Sequence, residues 1–131
     1  MPPRTDAFPD VEQLLVGWLS GPQSGVDTYA YCTRLPASIT QITVRVSRTS
    51  GANRSIRVDR PIVDIDVYAL SEADGAAAAR LVQQAVLSMR GVTTQDGYVQ
   101  LCTTVIGPRW MPDVNPELFR FGASYEFHTH A

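Results

Sequence analysis

Four groups of residues have the types and spacing to do chemistry. The stretch RVSRTSGANRSIRVDRP, from Arg45 to Pro61, gathers five arginines (Arg45, Arg48, Arg54, Arg57 and Arg60) out of eleven cations in the chain, all of them Arg. A guanidinium offers a planar fork that fits phosphate and carboxylate alike, so a phosphate cradle, a nucleic-acid patch and a protein–protein contact are all open to such a stretch. Asp64 and Asp66 share one face of a strand pattern, and paired carboxylates can hold a divalent cation or run acid–base chemistry. His128 and His130, in EFHTH, have the spacing of two metal ligands on a strand. Cys32 and Cys102 stand seventy positions apart and form neither a C-x-x-C pair nor a zinc pattern.

Each group also has a plainer reading. SGANRS lacks the G-x-x-x-x-G-K-[ST] pattern and lies between strands rather than before a helix, which excludes a mononucleotide loop. Its arginines can pair with Asp59, Asp64 or acids of a neighbour. A net charge of −2 and a pI near 5.6 argue against a dedicated nucleic-acid-binding domain. Asp64 and Asp66 face Arg45 and Ser47 on the adjacent strand, so cross-strand pairing is expected. The two histidines lack a third ligand nearby. The cysteines read as small apolar fillers in a reducing compartment. With no G-x-S-x-G and no H-E-x-x-H, no catalytic, cofactor-binding or metal-binding residue is assigned, and no enzyme activity is expected.

The elements that position these residues follow from periodicity. Val11, Leu14, Leu15, Trp18 and Leu19 fall on one helical stripe, opened by a D-x-x-Q cap at Asp10 and stopped by SGPQSG. A short strand is expected at about 28–33. QITVRVS alternates over Ile42, Val44 and Val46, and PIVDIDVYAL over Val63, Ile65 and Val67, so the two form a long hairpin turning through RTSGANRS. A second helix starts at Ser71, with Ala78, Leu81, Val82, Ala85 and Met89 as its apolar stripe and Gly91 as its stop. YVQLCTTVIG and LFRFGASYEFHTH are the last strands, separated by an irregular PRWMPDVNPE. The order α-β-β-β-α-β-β predicts an α+β fold: about five strands in an antiparallel or mixed sheet, with two helices on one face.

Length and composition agree. The 131 residues suit one domain, read as a flexible arm over 1–8 and an α+β domain over 9–131. No apolar run approaches the roughly 20 residues that cross a bilayer, and MPPRTDAFPD lacks the apolar centre of a signal peptide, so neither a membrane nor export is expected.

The ordered set FPDVEQLL, ITVRVSRTSGANR, DRPIVDIDVYAL, SEADGAAAARLVQQAVLSM, GPRWMPDVNPELFRF and ASYEFHTHA, from about Phe8 onward, resembles the tail terminator proteins of long-tailed bacteriophages with non-contractile tails. The resemblance implies a structural protein made in the host cytoplasm. It would form a hexameric ring at the head-proximal end of the virion tail, cap the tube and stop its polymerisation. The partners implied are copies of itself, the major tail tube protein, a neck or head-completion protein and the tape-measure protein, with genomic DNA passing through the lumen without sequence readout. No cofactor is implied. A head-to-tail ring needs two different complementary patches. The five hairpin arginines, with Glu72 and Asp74 and with Arg109 and Trp110, are the contact candidates. The segment 48–57 is expected to be mobile until assembly, its arginines dispensable for the fold. The rival readings are another neck or tube protein, and a small ligand-binding or enzymatic α+β domain with PRWMPD as a lid.

Overall fold

The computed structural model describes residues 8–53 and 58–130. Helix α1 covers Val11–Leu19. Asp10 caps it, its Oδ1 accepting the backbone N–H groups of Glu12 and Gln13 at 3.1 and 3.2 Å. Such a cap is worth about 1 kcal/mol over alanine. Val11, Leu14, Leu15 and Leu19 are buried, and Trp18 packs half-buried beside them. A 3-10 turn at Pro22–Ser24 ends the segment, with Gly25 in the left-handed region at φ 77°.

Helix α2 covers Glu72–Leu87, and Ser71 Oγ accepts from Asp74 N at 3.2 Å, as the sequence predicts. Its buried stripe differs from expectation in one residue: Leu81 is 47% exposed. The helix instead rolls onto Gly75, Ala78, Ala79, Val82, Ala85 and Val86. The cause is close approach. A Cβ at Gly75 would lie 2.8 Å from the Phe121 ring, so the glycine and the small alanines let α2 sit directly on the sheet.

One six-stranded sheet carries both helices. Its strands are β1 (Ala30–Cys32), β2 (Thr43–Asn53), β3 (Asp59–Ala69), β4 (Val92–Thr94), β5 (Gly97–Met111) and β6 (Phe119–His130), in the order β1-β2-β3-β6-β5-β4. β1 runs parallel to β2 and every other pair is antiparallel, so the sheet is mixed. The sixth strand is β4. Its three residues are too few for alternation to reveal. Gly91, at φ 77°, turns the chain from α2 into β4 and donates to Val99 O at 2.7 Å.

The alternating residues Val44 and Val46 on β2, Val63, Ile65 and Val67 on β3, and Phe121, Ala123, Tyr125 and Phe127 on β6 join the buried residues of both helices in a single core. Two strands run further than their patterns suggest. β2 continues through Ser50–Asn53, so much of the expected turn is strand. β5 continues through Pro108–Met111, which places PRWM in the sheet and removes it as a lid. A register shift between Ile106 and Arg109 accommodates Pro108, whose missing N–H could not serve a regular ladder.

Candidate assembly surfaces

The helices cover one face of the sheet. The other face carries charge. Arg45 on β2 lies opposite Asp66 on β3, and Asp66 lies opposite Gly122 on β6. Asp66 Oδ2 accepts from Arg45 at 2.8 Å and from Arg120 at 3.0 Å, so one nearly buried carboxylate ties three strands. Both guanidiniums also lie against the Tyr68 ring, at 5.6 and 5.9 Å from its centroid. Burial pushes the Tyr68 phenol above its ordinary value, and the two arginines oppose that shift. Gly122 makes room for the group: a Cβ there would meet Asp66 Oδ1 at 2.8 Å and collide with Met111 Sδ.

Further along, Arg60 reaches Glu126 at 3.1 and 3.4 Å, and His128 Nε2 lies 3.1 Å from Glu126 Oε1. The contact with His128, and then Arg60, holds the Glu126 carboxyl below its ordinary range. Asp64 accepts from Ser124 at 2.6 Å, a partner on β6 that the β2–β3 pattern does not suggest.

On the helix-covered side, beyond the end of α1, Arg48 forks onto Asp59, with Nη1–Oδ2 at 2.6 Å and Nη2–Oδ1 at 3.0 Å. Asp59 also accepts from Arg60 N at 3.0 Å and is 1% exposed. Arg48 is therefore the cation that compensates a buried carboxylate, which corrects the expectation that it is dispensable for the fold. Its backbone N–H donates to Glu12 Oε2 of α1 at 2.9 Å.

Of the five hairpin arginines, then, Arg45, Arg48 and Arg60 are occupied within the chain. Arg54 and Arg57, and the turn they belong to, lie outside the described residues. Glu72 and Asp74 stand exposed in the first turn of α2. Arg109 and Trp110 are exposed on β5, Trp110 to 57%. The described candidates thus lie on separate elements: β2, β3, the first turn of α2 and β5.

The groups with metal or nucleophile chemistry separate in the same way. His130 packs its ring on Tyr98 with centroids 4.7 Å apart, while His128 is engaged by Glu126. Among the described residues no three His, Cys, Asp or Glu side chains come together as a metal site would require. Burial pushes the Cys102 thiol up to about 12 and raises Cys32 as well, so neither is a ready thiolate near neutral pH. Two shallow depressions flank α1. One is lined by Trp18, Gln23, Thr94 and Asp96, and the other by Asp10, Glu12, Cys32 and Arg34. In the second, Asp10 is serving as the helix cap and Glu12 is holding Arg48 N.

A family model described as phage tail termination protein matches residues 7–131. The chain belongs to that family. No curated protein matches. Among solved structures, a chain of the virion of a native gene transfer agent particle superposes with a TM-score of 0.62 at 16% identity, over 93% of this chain and 86% of that one. At that identity the likeness is one of fold. Family membership makes the chain a structural protein of a phage tail.

Sequence reading named Asp59 and placed Asp66 opposite Arg45, and both hold hairpin arginines, but it missed the partners from outside the hairpin. Arg120, Glu126 and Glu12 are distant in the chain, and only the β3–β6 register and the packing of α1 bring them near.

Proposed function

We propose that the chain is the ring-forming terminator of the tail: six copies close on the head-proximal end of the tube, stop its polymerisation and present the joint to the neck or head. The family match over residues 7–131 carries this reading. The charged sheet face and the exposed residues of β5 are compatible with it, because a ring subunit needs surfaces that remain exposed until its neighbours arrive. Copies of the chain, the tube protein and the neck protein are the direct partners, and the tape-measure protein and the DNA share the lumen. Glu72 and Asp74, with Arg54, Arg57, Arg109 and Trp110, supply complementary contacts.

Electron microscopy of a lysate lacking the protein tests the reading. Tails of uncontrolled length without heads are expected. Tails of normal length joined to heads would overturn it, and so would labelled subunits found along the tube rather than at its end.

A further inference from the structure

Each flank of the sheet ends on a three-residue strand that covers only part of its longer neighbour. β1 covers Thr43–Arg45 of β2, and β4 covers Gly97–Val99 of β5. Among the described residues no strand lies against the outer side of β2 beyond Arg45, or of β5 beyond Val99. Such edges present rows of backbone donors and acceptors, which proteins ordinarily cover or guard with charge. Here Gln100–Gly107 carries no charged side chain, and Val105 and Ile106 stand 51% and 43% exposed. Val46–Asn53 carries one charge, Arg48, already matched by Asp59.

The registers place the two open stretches at the same height. Ser50 lies opposite Ile62, Ile62 opposite Glu126, and Glu126 opposite Thr103. Ser47, Asp64, Ser124 and Ile106 form a second such row. Strand direction alternates from β2 through β3 and β6 to β5, so β2 and β5 run opposite ways. A second copy set beside the first by rotation, with no slide along the strands, brings its Ser47–Ser50 antiparallel against Ile106–Thr103.

We propose that consecutive copies of this chain join by strand addition, the open edge of β2 in one copy pairing with the open edge of β5 in the next. The inference rests on the ring reading and names the contact that builds the ring. The contact is heterologous, so every copy both gives and receives an edge, and the series closes wherever the rotation per copy divides a full turn. Main-chain hydrogen bonds supply the attraction, and the near-neutral edges meet without like-charge repulsion. Pairing stops at Pro108, which has no N–H to offer. Glu12 guards the edge in the free chain: it holds Arg48 N–H at 2.9 Å, and an arriving strand must compete for that donor.

Disulfide trapping in the full chain tests the contact. Directly opposed residues of antiparallel strands have Cα atoms about 4.5–5.5 Å apart, within the range a disulfide spans. In a Cys32→Ser background, the double variant Ser50→Cys/Thr103→Cys should oxidise to a ladder of cross-linked oligomers. The two single variants mixed should stop at a heterodimer, and each alone should stay monomeric. Adding Val105→Lys and Ile106→Lys to the double variant should abolish the ladder with the circular dichroism and melting temperature unchanged. Glu12→Gln should increase the cross-linking yield several-fold. A double variant that yields no more product than the singles would overturn the proposal, as would Thr103→Cys alone dimerising as readily. Rings seen on tail tubes without the 50–103 cross-link would sink the edge contact and leave the ring reading standing. An open-ended ladder with no closed species would do the reverse.

Discussion

Arg48 grips Asp59 with two guanidinium nitrogens, at 2.6 and 3.0 Å, where Asp59 is 1% exposed and Arg48 a third exposed. The pair pins the two strands of the hairpin just before the turn. Removing the arginine strands a buried carboxylate, whereas removing the acid leaves a cation that can reach water. Arg48→Ala should therefore destabilise the protein by roughly 2–4 kcal/mol, and Asp59→Asn by less. Urea unfolding of both single variants and the double variant reads the coupling. Equal, small effects of the two singles would show that the pair contributes little.

Gly122 gives a second prediction. Its missing Cβ is the space that Met111 and Asp66 fill. Gly122→Ala should cost about 1–3 kcal/mol through overpacking, and shortening Met111 to Ala in the same chain should recover part of it. A Gly122→Ala variant as stable as the parent would mean the Met111 side chain simply swings away.

The third concerns pH. His128 and Arg60 lower the Glu126 carboxyl, so its folded value lies below its unfolded one. A depressed acid contributes stability above the ordinary glutamate range and loses it as pH falls through the lowered folded value. Melting temperature should drop on acidification in that window, and Glu126→Gln should flatten that part of the curve. An acid limb unchanged in the variant would assign acid sensitivity to other carboxylates.

The fourth separates assembly from folding. Trp110 is exposed and Arg109 has no partner among the described residues. Changing both to Ala should leave thermal stability within about 0.5 kcal/mol. If they are contact residues, attachment to tail tubes should weaken at least tenfold, as interface Trp and Arg often show. Unchanged attachment in a pelleting assay would remove them from the contact set.

Much of the fold was legible because the sequence states it locally. Asp10 and Ser71 cap where their types say they should, and the alternation in β2, β3 and β6 reports which face meets the helices. What stayed hidden depends on partners far along the chain. Leu81 looked apolar enough for the core, but Gly75 decided the roll of α2 by letting it settle on Phe121. β4 is too short to show a period. The arginines advertised a contact surface, yet three of them satisfy acids of their own chain: the hairpin pattern offers Asp66 to Arg45 and Asp59 lies in the same stretch, but Glu126, on β6, no hairpin pattern would pair with Arg60. The open edges left no mark at all, since a strand reads the same whether or not a neighbour lies beside it.

The seam between β3 and β6 has a consequence for how the chain reaches this state. β2–β3 and β5–β6 are antiparallel pairs of strands adjacent in the chain, and hairpins form within about 1–10 μs. The seam that unites them is non-local: Arg120 and Asp66 are 54 residues apart, and Ser124 and Asp64 are 60 apart. Closing that interval, with α2 and β4 inside it, is the entropically expensive event, so docking of the two hairpins should set the folding rate. Until it happens β3 and β6 are edges too, and a nascent chain presents four strand edges instead of two. Asp66, held by an arginine from each hairpin, then acts as a register key: a slip by one residue would carry the carboxylate to the apolar side and leave both guanidiniums without it.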